Sequence, residues 1–353
     1  MTDQPVIVAL NPGSTSTKVA HYVGDTEVAR EVIRHDAAIL AGYDTIWSQF
    51  EFRLGIVKEW TRKIRVQPQA VVGIGGLLRP VTSGTYLVNQ RMLADARASL
   101  QGFHASNLGC ALAFEVGKEH SCPAYIVDPV SVDEFTPLAR YSGHPLIERK
   151  SLSHALNIHA VARRAALELG KPYENSSFVI AHLGGGISVA PVKGGKIVDA
   201  NDASSDGPFS PERTGGLPLQ QFITLCYSGK YEEKEMRALV MGKGGLKAYL
   251  NSNSATEVEE RAKSGDVKAT EVLDAMVYQI AKEIGAMATV LSGRLDAIVF
   301  TGGMASSETL VSSVRERVSF LARILVCPGE DEMLALAEGA LRVLRGEEQA
   351  KEY

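Results

Sequence analysis

The chain has 353 residues, of which 45% are hydrophobic and 22% charged, and its formal net charge is -4. These values are typical of a globular protein of about two domains, and the negative charge argues against nucleic-acid binding driven by phosphate neutralisation. The N-terminal residues lack the basic and apolar regions of a signal peptide, and no apolar run approaches the ~20 residues of a membrane span. We therefore expect a cytoplasmic protein that binds neither membrane nor nucleic acid. The four cysteines form no CxxC motif, which argues against zinc and redox sites.

Short runs rich in valine and isoleucine alternate with stretches of helical periodicity. The expected strands are Val6–Leu10, Val71–Ile74, Tyr125–Val127, Phe178–Ala181, Ile187–Val192, Ile298–Phe300 and Ile324–Val326. The expected helices are Asn107–His120, His154–Leu169, Asp266–Ser292 and Asp331–Leu344. In the third of these, Ile280, Ile284 and Leu291 belong to a series of apolar residues spaced by three and four, which gives one apolar face. The alternation predicts an α/β fold.

A repeated pattern predicts two similar domains. Val6–Leu10 is followed by a small polar loop, a strand, a tight turn and another strand, and Phe178–Leu183 is followed by three glycines and the same succession. Two such segments suggest a duplicated chain, with chance similarity of hairpins as the alternative. We place the domain boundary in a polar stretch near residue 150. The N-terminal domain then covers residues 1–152, completed by the C-terminal helix in 331–353, and the C-terminal domain covers 153–330.

Three loops that follow expected strands are candidate phosphate or nucleotide sites. The first loop, Asn11–Lys18, offers hydroxyl groups, backbone N–H groups and one lysine, although it lacks the second glycine of a Walker A loop. The glycine loop, Gly184–Gly186, follows His182 and lets the backbone approach a ligand closely. Gly302 and Gly303 end a further strand, where α/β sheets bind ligands. For the first two loops, a plain polar or flexible turn is the alternative.

Other motifs carry weaker signals. The run from Gly73 to Leu78 resembles a dinucleotide fingerprint, but Leu78 replaces its last glycine, so NAD binding is rejected. Three acids in Asp199–Asp206 could hold Mg²⁺ or form an exposed loop. Arg213 could neutralise charge in phosphoryl transfer or form a surface ion pair. The spacing of His154 and His159 disfavours a metal pair on one helix face.

The motifs taken together resemble a known family. Ala-Leu-Asn-Pro-Gly-Ser-Thr-Ser-Thr-Lys (9–18), Ala-His-Leu-Gly-Gly-Gly-Ile-Ser (181–188), Pro-Phe-Ser-Pro-Glu-Arg (208–213), Phe-Thr-Gly-Gly (300–303) and Pro-Gly-Glu-Asp-Glu-Met (328–333) resemble the acetate and butyrate kinases, and the butyrate kinases more closely. The resemblance implies two duplicated ribonuclease H-like (actin-like ATPase) domains facing a nucleotide cleft. It also implies reversible, Mg²⁺-dependent phosphoryl transfer between ATP and a short-chain carboxylate, usually in a homodimer.

The resemblance also assigns roles to residues. The implied catalytic residues are Lys18, Asp128, His154, His182 and Arg213, and the implied nucleotide-binding residues are Asn11, Ser14, Ser16, Gly184, Gly185, Gly186, Gly302 and Gly303. Asp128 and Glu332 are the implied metal-side acids, with Glu330 as the alternative to Glu332. His104 is implied on the substrate side.

One motif departs from the family pattern. Acetate kinases carry an arginine where this chain has Gly75, and the nearest cation is Arg79. Arg79 is therefore a candidate carboxylate ligand. The position before His154 is aromatic in the acetate enzymes and is Ser153 here, so we expect a wider acyl pocket. Its other expected walls are Leu77, Phe103 and Pro211.

The chemistry expected of an acyl kinase needs no general base, because a carboxylate is already a competent nucleophile. It needs positioning and charge neutralisation, because the acid and the triphosphate repel each other. Two alternatives share the fold: a sugar kinase, which needs a base to deprotonate a hydroxyl group, and a non-enzymatic actin-like ATP switch.

Overall fold

The structure is a computed structural model that describes residues 4–353. Its strands are β1 (Val6–Pro12), β2 (Ser16–Val23), β3 (Thr26–Arg34), β4 (Ala70–Ile74), β5 (Thr85–Leu87), β6 (Ala124–Val127), β7 (Tyr141–His144), β8 (Ile147–Glu148), β9 (Ser177–Leu183), β10 (Ile187–Lys193), β11 (Lys196–Ile197), β12 (Ala297–Gly302) and β13 (Ile324–Pro328). Its helices are α1 (Ala37–Ala41), α2 (Phe50–Lys63), α3 (Gln90–Ala98), α4 (Gly109–His120), α5 (Ala155–Glu168), α6 (Leu219–Cys226), α7 (Glu233–Val240), α8 (Gly245–Leu250), α9 (Ala255–Lys263), α10 (Val267–Val290), α11 (Glu308–Val318) and α12 (Glu332–Leu344).

The strongly periodic segments are confirmed. Each expected strand lies within or closely matches an observed one, and the four expected helices correspond to α4, α5, α10 and α12. Helix α10 begins after Asp266, whose side chain accepts a hydrogen bond from the N–H of Ala269, so its start is fixed by an N-cap. No helix directly follows β4, which agrees with rejecting the dinucleotide fingerprint.

The chain divides into two compact units. The first unit contains the residues up to Asp133, residues 155–157 and residues 331–353; the second contains residues 134–154 and 158–330. The sequence-based domain boundary at residue 152 stays a prediction. The division into compact units places residues 134–154 with the second unit, but a compact unit need not coincide with a duplicated domain.

The first unit is built on a six-stranded sheet in the order β3-β2-β1-β4-β6-β5. β1, β2 and β3 are antiparallel neighbours, whereas β1, β4 and β6 run parallel. Helices α4 and α12 pack against this sheet. Strands β1 and β4 are almost fully buried, as expected for parallel strands covered by helices.

The second unit is built on a five-stranded sheet in the order β11-β10-β9-β12-β13. Its first three strands are antiparallel neighbours, and β9, β12 and β13 run parallel. The apolar face of α10 packs on this sheet, with Met276, Ile280 and Ile284 fully buried.

Apart from β5, which pairs antiparallel with β6 at the edge of the first sheet, the two sheets therefore repeat one topology: three antiparallel strands followed by two parallel ones. The duplication predicted from the loops is confirmed, and the α/β fold class with it. Among residues 4–353, no helix combines the length and apolar character needed to span a membrane. All four cysteines are free thiols.

Candidate active site

The first loop connects β1 to β2. Asn11 and Lys18 lie opposite each other in the antiparallel register, so both side chains belong to one end of the hairpin. Ser14 is exposed and Ser16 partly exposed. The N–H of Gly13 donates to the carbonyl of Ser16, which closes the loop tightly (2.8 Å). The loop therefore presents hydroxyl groups and a lysine beside the end of a buried strand.

Glu332 lies beside this loop, although it is distant in sequence. Its Oε2 accepts a hydrogen bond from Asn11 Nδ2 (2.7 Å) and lies 3.5 Å from Lys18 Nζ. Glu330 instead belongs to the second unit, with its Oε1 3.5 Å from His182 Nε2. The two glutamates that the motif could not tell apart thus have different surroundings, and only Glu332 lies with Asn11 and Lys18.

Asp128 follows β6, at the same edge of the first sheet as Asn11, because β1 and β6 are parallel members of that sheet. It is 2% exposed and has a positive φ of 38°, which is uncommon for a residue other than glycine. Its Oδ1 accepts from the N–H of Gly84 (2.6 Å), and its own N–H donates to the Gly84 carbonyl (3.1 Å). These two bonds hold the carboxylate in a fixed orientation.

The substrate-side candidates of the first unit differ in their burial and in their hydrogen-bond partners. Arg79 forms a bidentate pair with Asp95 (2.6 and 3.0 Å), so its guanidinium is already bound to a carboxylate. His104 accepts from the N–H of Ser106 and caps a short 3-10 turn. Leu77 is partly buried, whereas Phe103 is 77% exposed.

Sequence reasoning missed Arg53, which lies beneath the first loop. This residue of α2 is fully buried, and its guanidinium donates to the carbonyl groups of Gly13 (2.9 Å), Ser16 (3.0 Å) and Ser14 (3.3 Å). A signal was present: Arg53 is in helical phase with the buried Val57, so the arginine occupies an apolar position of the helix.

In the second unit, the glycine loop lies against Arg213. A Cβ atom on Gly186 would overlap the guanidinium of Arg213, so only glycine fits there. Arg213 Nη1 donates to the carbonyl of Ala203 (3.1 Å), while its buried Nε has no hydrogen-bond partner among the described residues. The arrangement leaves a buried donor available to a ligand.

His154 and His182 lie in the same cluster. Their rings are stacked, with centroids 3.9 Å apart and planes 10° apart. His182 is 1% exposed and is the penultimate residue of β9, just before the glycine loop. His154 directly precedes α5. Two protonated rings at this distance would repel each other strongly, so the doubly protonated pair is disfavoured.

The electrostatics of the cluster point the same way. Burial holds the pKa of His154 well below its usual value, and the neighbouring His182 and Arg213 lower it further. Burial also lowers the pKa of Arg213, against the opposite effect of Glu212 and Asp202. His154 is therefore neutral near pH 7 and able to donate one ring N–H without carrying charge.

Ser188 is a second residue that sequence reasoning missed. It is fully buried, lies opposite His182 in the β9–β10 register, and its Oγ is 2.9 Å from His154 Nδ1. A hydroxyl at this place can fix the ring orientation and tautomer of His154. Ser188 is the last residue of the motif at 181–188, but its contact with His154 was not predictable from that motif.

The remaining candidates of the second unit are Gly302, Gly303, Ser153 and Pro211. Gly302 has a φ of 88°, and a Cβ there would overlap the backbone of Leu183, so glycine is required. Ser153 and Pro211 are buried, and Ser153 Oγ has no hydrogen-bond partner within residues 4–353.

The donor set suits a nucleotide-bound metal better than a resident one. Within the described part of the chain, no group of three or more His, Cys, Asp or Glu side chains could hold a metal ion. Mg²⁺ in phosphoryl-transfer enzymes is commonly held by one or two carboxylates together with substrate phosphates and water. Asp128 and Glu332 would suffice for that.

The sequence and the fold of the chain are both similar to those of known proteins. Residues 141–327 match the model of the acetokinase family. The chain is 48% identical over 355 residues to a probable butyrate kinase of Listeria monocytogenes, covering 98% of this chain and 99% of that protein. It is 47% identical over 351 residues to butyrate kinase 1 of Clostridium acetobutylicum, with the same coverage. The fold is similar to that of an acetate kinase from Porphyromonas gingivalis, with a TM-score of 0.79 at 19% identity, over 96% of this chain and all of that one. Because the chain is 47–48% identical to these relatives over 98% of its length and over half of it matches the family model, it belongs to the acetokinase family.

Proposed function

We propose that this protein is a butyrate kinase, which transfers a phosphoryl group reversibly between ATP and butyrate or a branched short-chain acid. The observation that carries the proposal is the near-full-length identity of 47–48% to proteins named butyrate kinase. The second unit adds physical support, because its cluster offers Arg213 and the rings of two stacked histidines as donors for phosphoryl oxygens.

The reaction is a direct displacement. A carboxylate oxygen of the acid attacks the γ-phosphorus, the new P–O bond forms, and the bond to the departing ADP oxygen breaks. Arg213 and His182 would donate to the oxygens of the transferring group, and neutral His154 would add a further N–H. Donors held in place before the reaction stabilise the charge that develops in the transition state.

The first unit would supply binding and charge. Asn11, Ser14, Ser16 and Lys18 would contact phosphoryl oxygens, while Asp128 and Glu332 would hold the magnesium of the nucleotide. That ion, when bound, neutralises phosphate charge. The glycine loop and the Gly302–Gly303 turn would contact the nucleotide.

A direct assay tests the function. The purified protein is incubated with ATP and Mg²⁺ and with butyrate, isobutyrate, acetate or glucose, and acyl phosphate is trapped as a hydroxamate while ADP is measured. We expect ADP and hydroxamate to form together with butyrate. ADP formed only with glucose would indicate a sugar kinase, and hydrolysis of ATP without any acceptor would indicate an ATP switch.

Replacing Asp128 by asparagine should raise the Mg²⁺ concentration needed for half-maximal activity and lower turnover. Asparagine keeps the Oδ1 that accepts from Gly84, so the fold should be retained while the charge is lost. The measurement is a Mg²⁺ titration of kcat. The matched control is Asp36→Asn. Asp36 is the N-cap of α1, and aspartate and asparagine cap helices equally well. Identical metal dependence in Asp128→Asn and the parent would make Asp128 structural.

Replacing Ser153 by phenylalanine should shift preference from butyrate towards acetate. Two extra methylenes buried at about 0.8 kcal/mol each correspond to roughly ten- to twentyfold in kcat/KM. The parent should therefore prefer butyrate or isobutyrate, and a ring at position 153 should remove that space. Ser153→Leu, with a smaller side chain, guards against overpacking of this buried position. If both variants fold and keep the parent's ranking of the three acids, Ser153 does not select chain length.

We also propose that the enzyme is a cytoplasmic homodimer. The proposal rests on family membership, which implies the dimer, and on the N-terminal sequence, from which we expect a cytoplasmic protein. Light scattering during size-exclusion chromatography measures the mass directly, and a mass of one chain at micromolar concentration would contradict the dimer.

A further inference from the structure

Arg53 is a buried cation that the proposed mechanism does not use. Beyond the three loop carbonyls, its Nη1 donates to Thr17 Oγ1 (3.1 Å), and its Nε and Nη2 donate to Gln49 Oε1 (3.1 and 2.9 Å). One side chain from α2 thus binds four of the five consecutive residues 13–17 of the first loop, and Gln49 accepts hydrogen bonds from the same guanidinium.

Among residues 4–353, no acid forms an ion pair with the positively charged Arg53. Its hydrogen-bond partners are carbonyl groups, one hydroxyl and one amide, and burial alone lowers its pKa. His35, whose Nε2 lies 2.9 Å from Thr17 Oγ1, has its own pKa lowered by burial and by the charge of Arg53, and a neutral imidazole cannot compensate the guanidinium. Burying an unpaired charge is costly, and hydrogen bonds to neutral groups offset only part of that cost.

The contacts also determine what the loop offers to a ligand. Carbonyl oxygens repel anions, and here those of Gly13, Ser14 and Ser16 are turned to the guanidinium. The exposed part of the loop keeps its hydroxyl groups and Lys18. An anion at the loop would therefore meet donors and feel the additional field of Arg53.

We propose that Arg53 is a positioning residue that holds the first loop in its anion-binding form and whose uncompensated charge favours the phosphoryl ligand. This inference rests on the proposed function for the identity of that ligand, a nucleotide or acyl phosphate. Arg53 itself would not contact the reacting atoms, because the loop backbone lies on its guanidinium.

The test compares Arg53→Met and Arg53→Lys with two controls on the same helix. Arg62→Met removes an equal charge from an exposed side chain, and Val57→Ala removes buried volume without touching the loop. For each protein, kcat/KM for ATP is measured at saturating butyrate, and Tm is measured with and without inorganic pyrophosphate. Pyrophosphate reports anion binding independently of turnover.

We expect Arg53→Met to lower kcat/KM for ATP by roughly 10- to 100-fold, mostly through KM, and to lose most of the pyrophosphate-induced rise in Tm. Arg53→Lys keeps the charge but cannot reach all the carbonyls. Its kcat/KM for ATP and its pyrophosphate-induced rise in Tm should therefore lie between those of Arg53→Met and the parent. In the two control variants, kcat/KM for ATP should stay within about twofold of the parent's value, since neither substitution removes a hydrogen bond to the loop.

Several outcomes would overturn the proposal. If Arg53→Met behaves like Val57→Ala, with a lower Tm but parental kcat/KM and pyrophosphate response, Arg53 is purely structural. If Arg53→Met does not fold, Arg53→Lys decides, and a parental kcat/KM in that variant rejects the proposal. A parent that phosphorylates no acid would reject the butyrate kinase function instead, while the pyrophosphate measurement would still test Arg53.

Discussion

Replacing Arg213 by alanine should lower kcat/KM for butyrate by about 10³-fold while leaving the fold intact. The loss of an arginine that stabilises transition-state charge costs 10³-fold or more in related phosphoryl transfer. The structure supports this role, because the buried Nε has no partner among the described residues and the guanidinium lies against Gly186. The fold should survive, since within residues 4–353 the side chain makes one hydrogen bond, to the carbonyl of Ala203.

Two further variants sharpen this test. Arg213→Lys keeps the charge but loses the planar group and its Nε–H, so its activity should lie between those of the alanine variant and the parent. Arg237→Ala, which breaks an exposed ion pair with Glu233, should leave kcat/KM for butyrate unchanged. Near-parental turnover in Arg213→Ala, with circular dichroism unchanged, would remove Arg213 from the mechanism.

Replacing His182 by alanine should raise the activation barrier by about 2–4 kcal/mol, as the loss of a preorganised oxyanion donor does. Nucleotide affinity should change less than kcat. The stacked geometry adds an independent readout: because His182 contributes to the low pKa of His154, its removal should raise that pKa. Titration of the His154 ring by NMR measures the shift.

His182→Gln provides the comparison, since its amide can still donate a hydrogen bond. Partial recovery of kcat in this variant, relative to His182→Ala, would identify donation as the role of His182. Weaker ATP binding at unchanged kcat in His182→Ala would make it a binding residue only. The buried histidine His159, which contacts Tyr173 and Glu134 instead of the cluster, serves as a control for the loss of a buried ring.

Local patterns predicted the framework of the protein well. Helix α10 was predictable because its apolar residues repeat every three or four positions over 24 residues. The duplicated sheets were predictable because both first strands end in a small or glycine-rich loop followed by a hairpin. The last strand of the second repeat, β11, is short and covers only Lys196–Ile197, because its antiparallel pairing with β10 includes only these two residues.

Partnerships between distant residues were not predictable from spacing. The bond between Asn11 and Glu332 joins residues 321 positions apart, and only the family resemblance pointed to both. Arg79 was chosen as the nearest cation to a missing arginine, but spacing could not reveal its pairing with Asp95. Arg53 was missed because an arginine within an apolar stripe conflicts with the pattern that identifies a helix face.

The discontinuity of the first unit has a consequence for biosynthesis. Nearly all of the second unit is contiguous, whereas α12, which packs against β1, β4 and β6, is translated after it. On the ribosome, the second unit can therefore complete its core while the sheet of the first unit still lacks one of its covering helices. Glu332 arrives with that helix, so the ion pair with Lys18 is among the last contacts that a nascent chain can form.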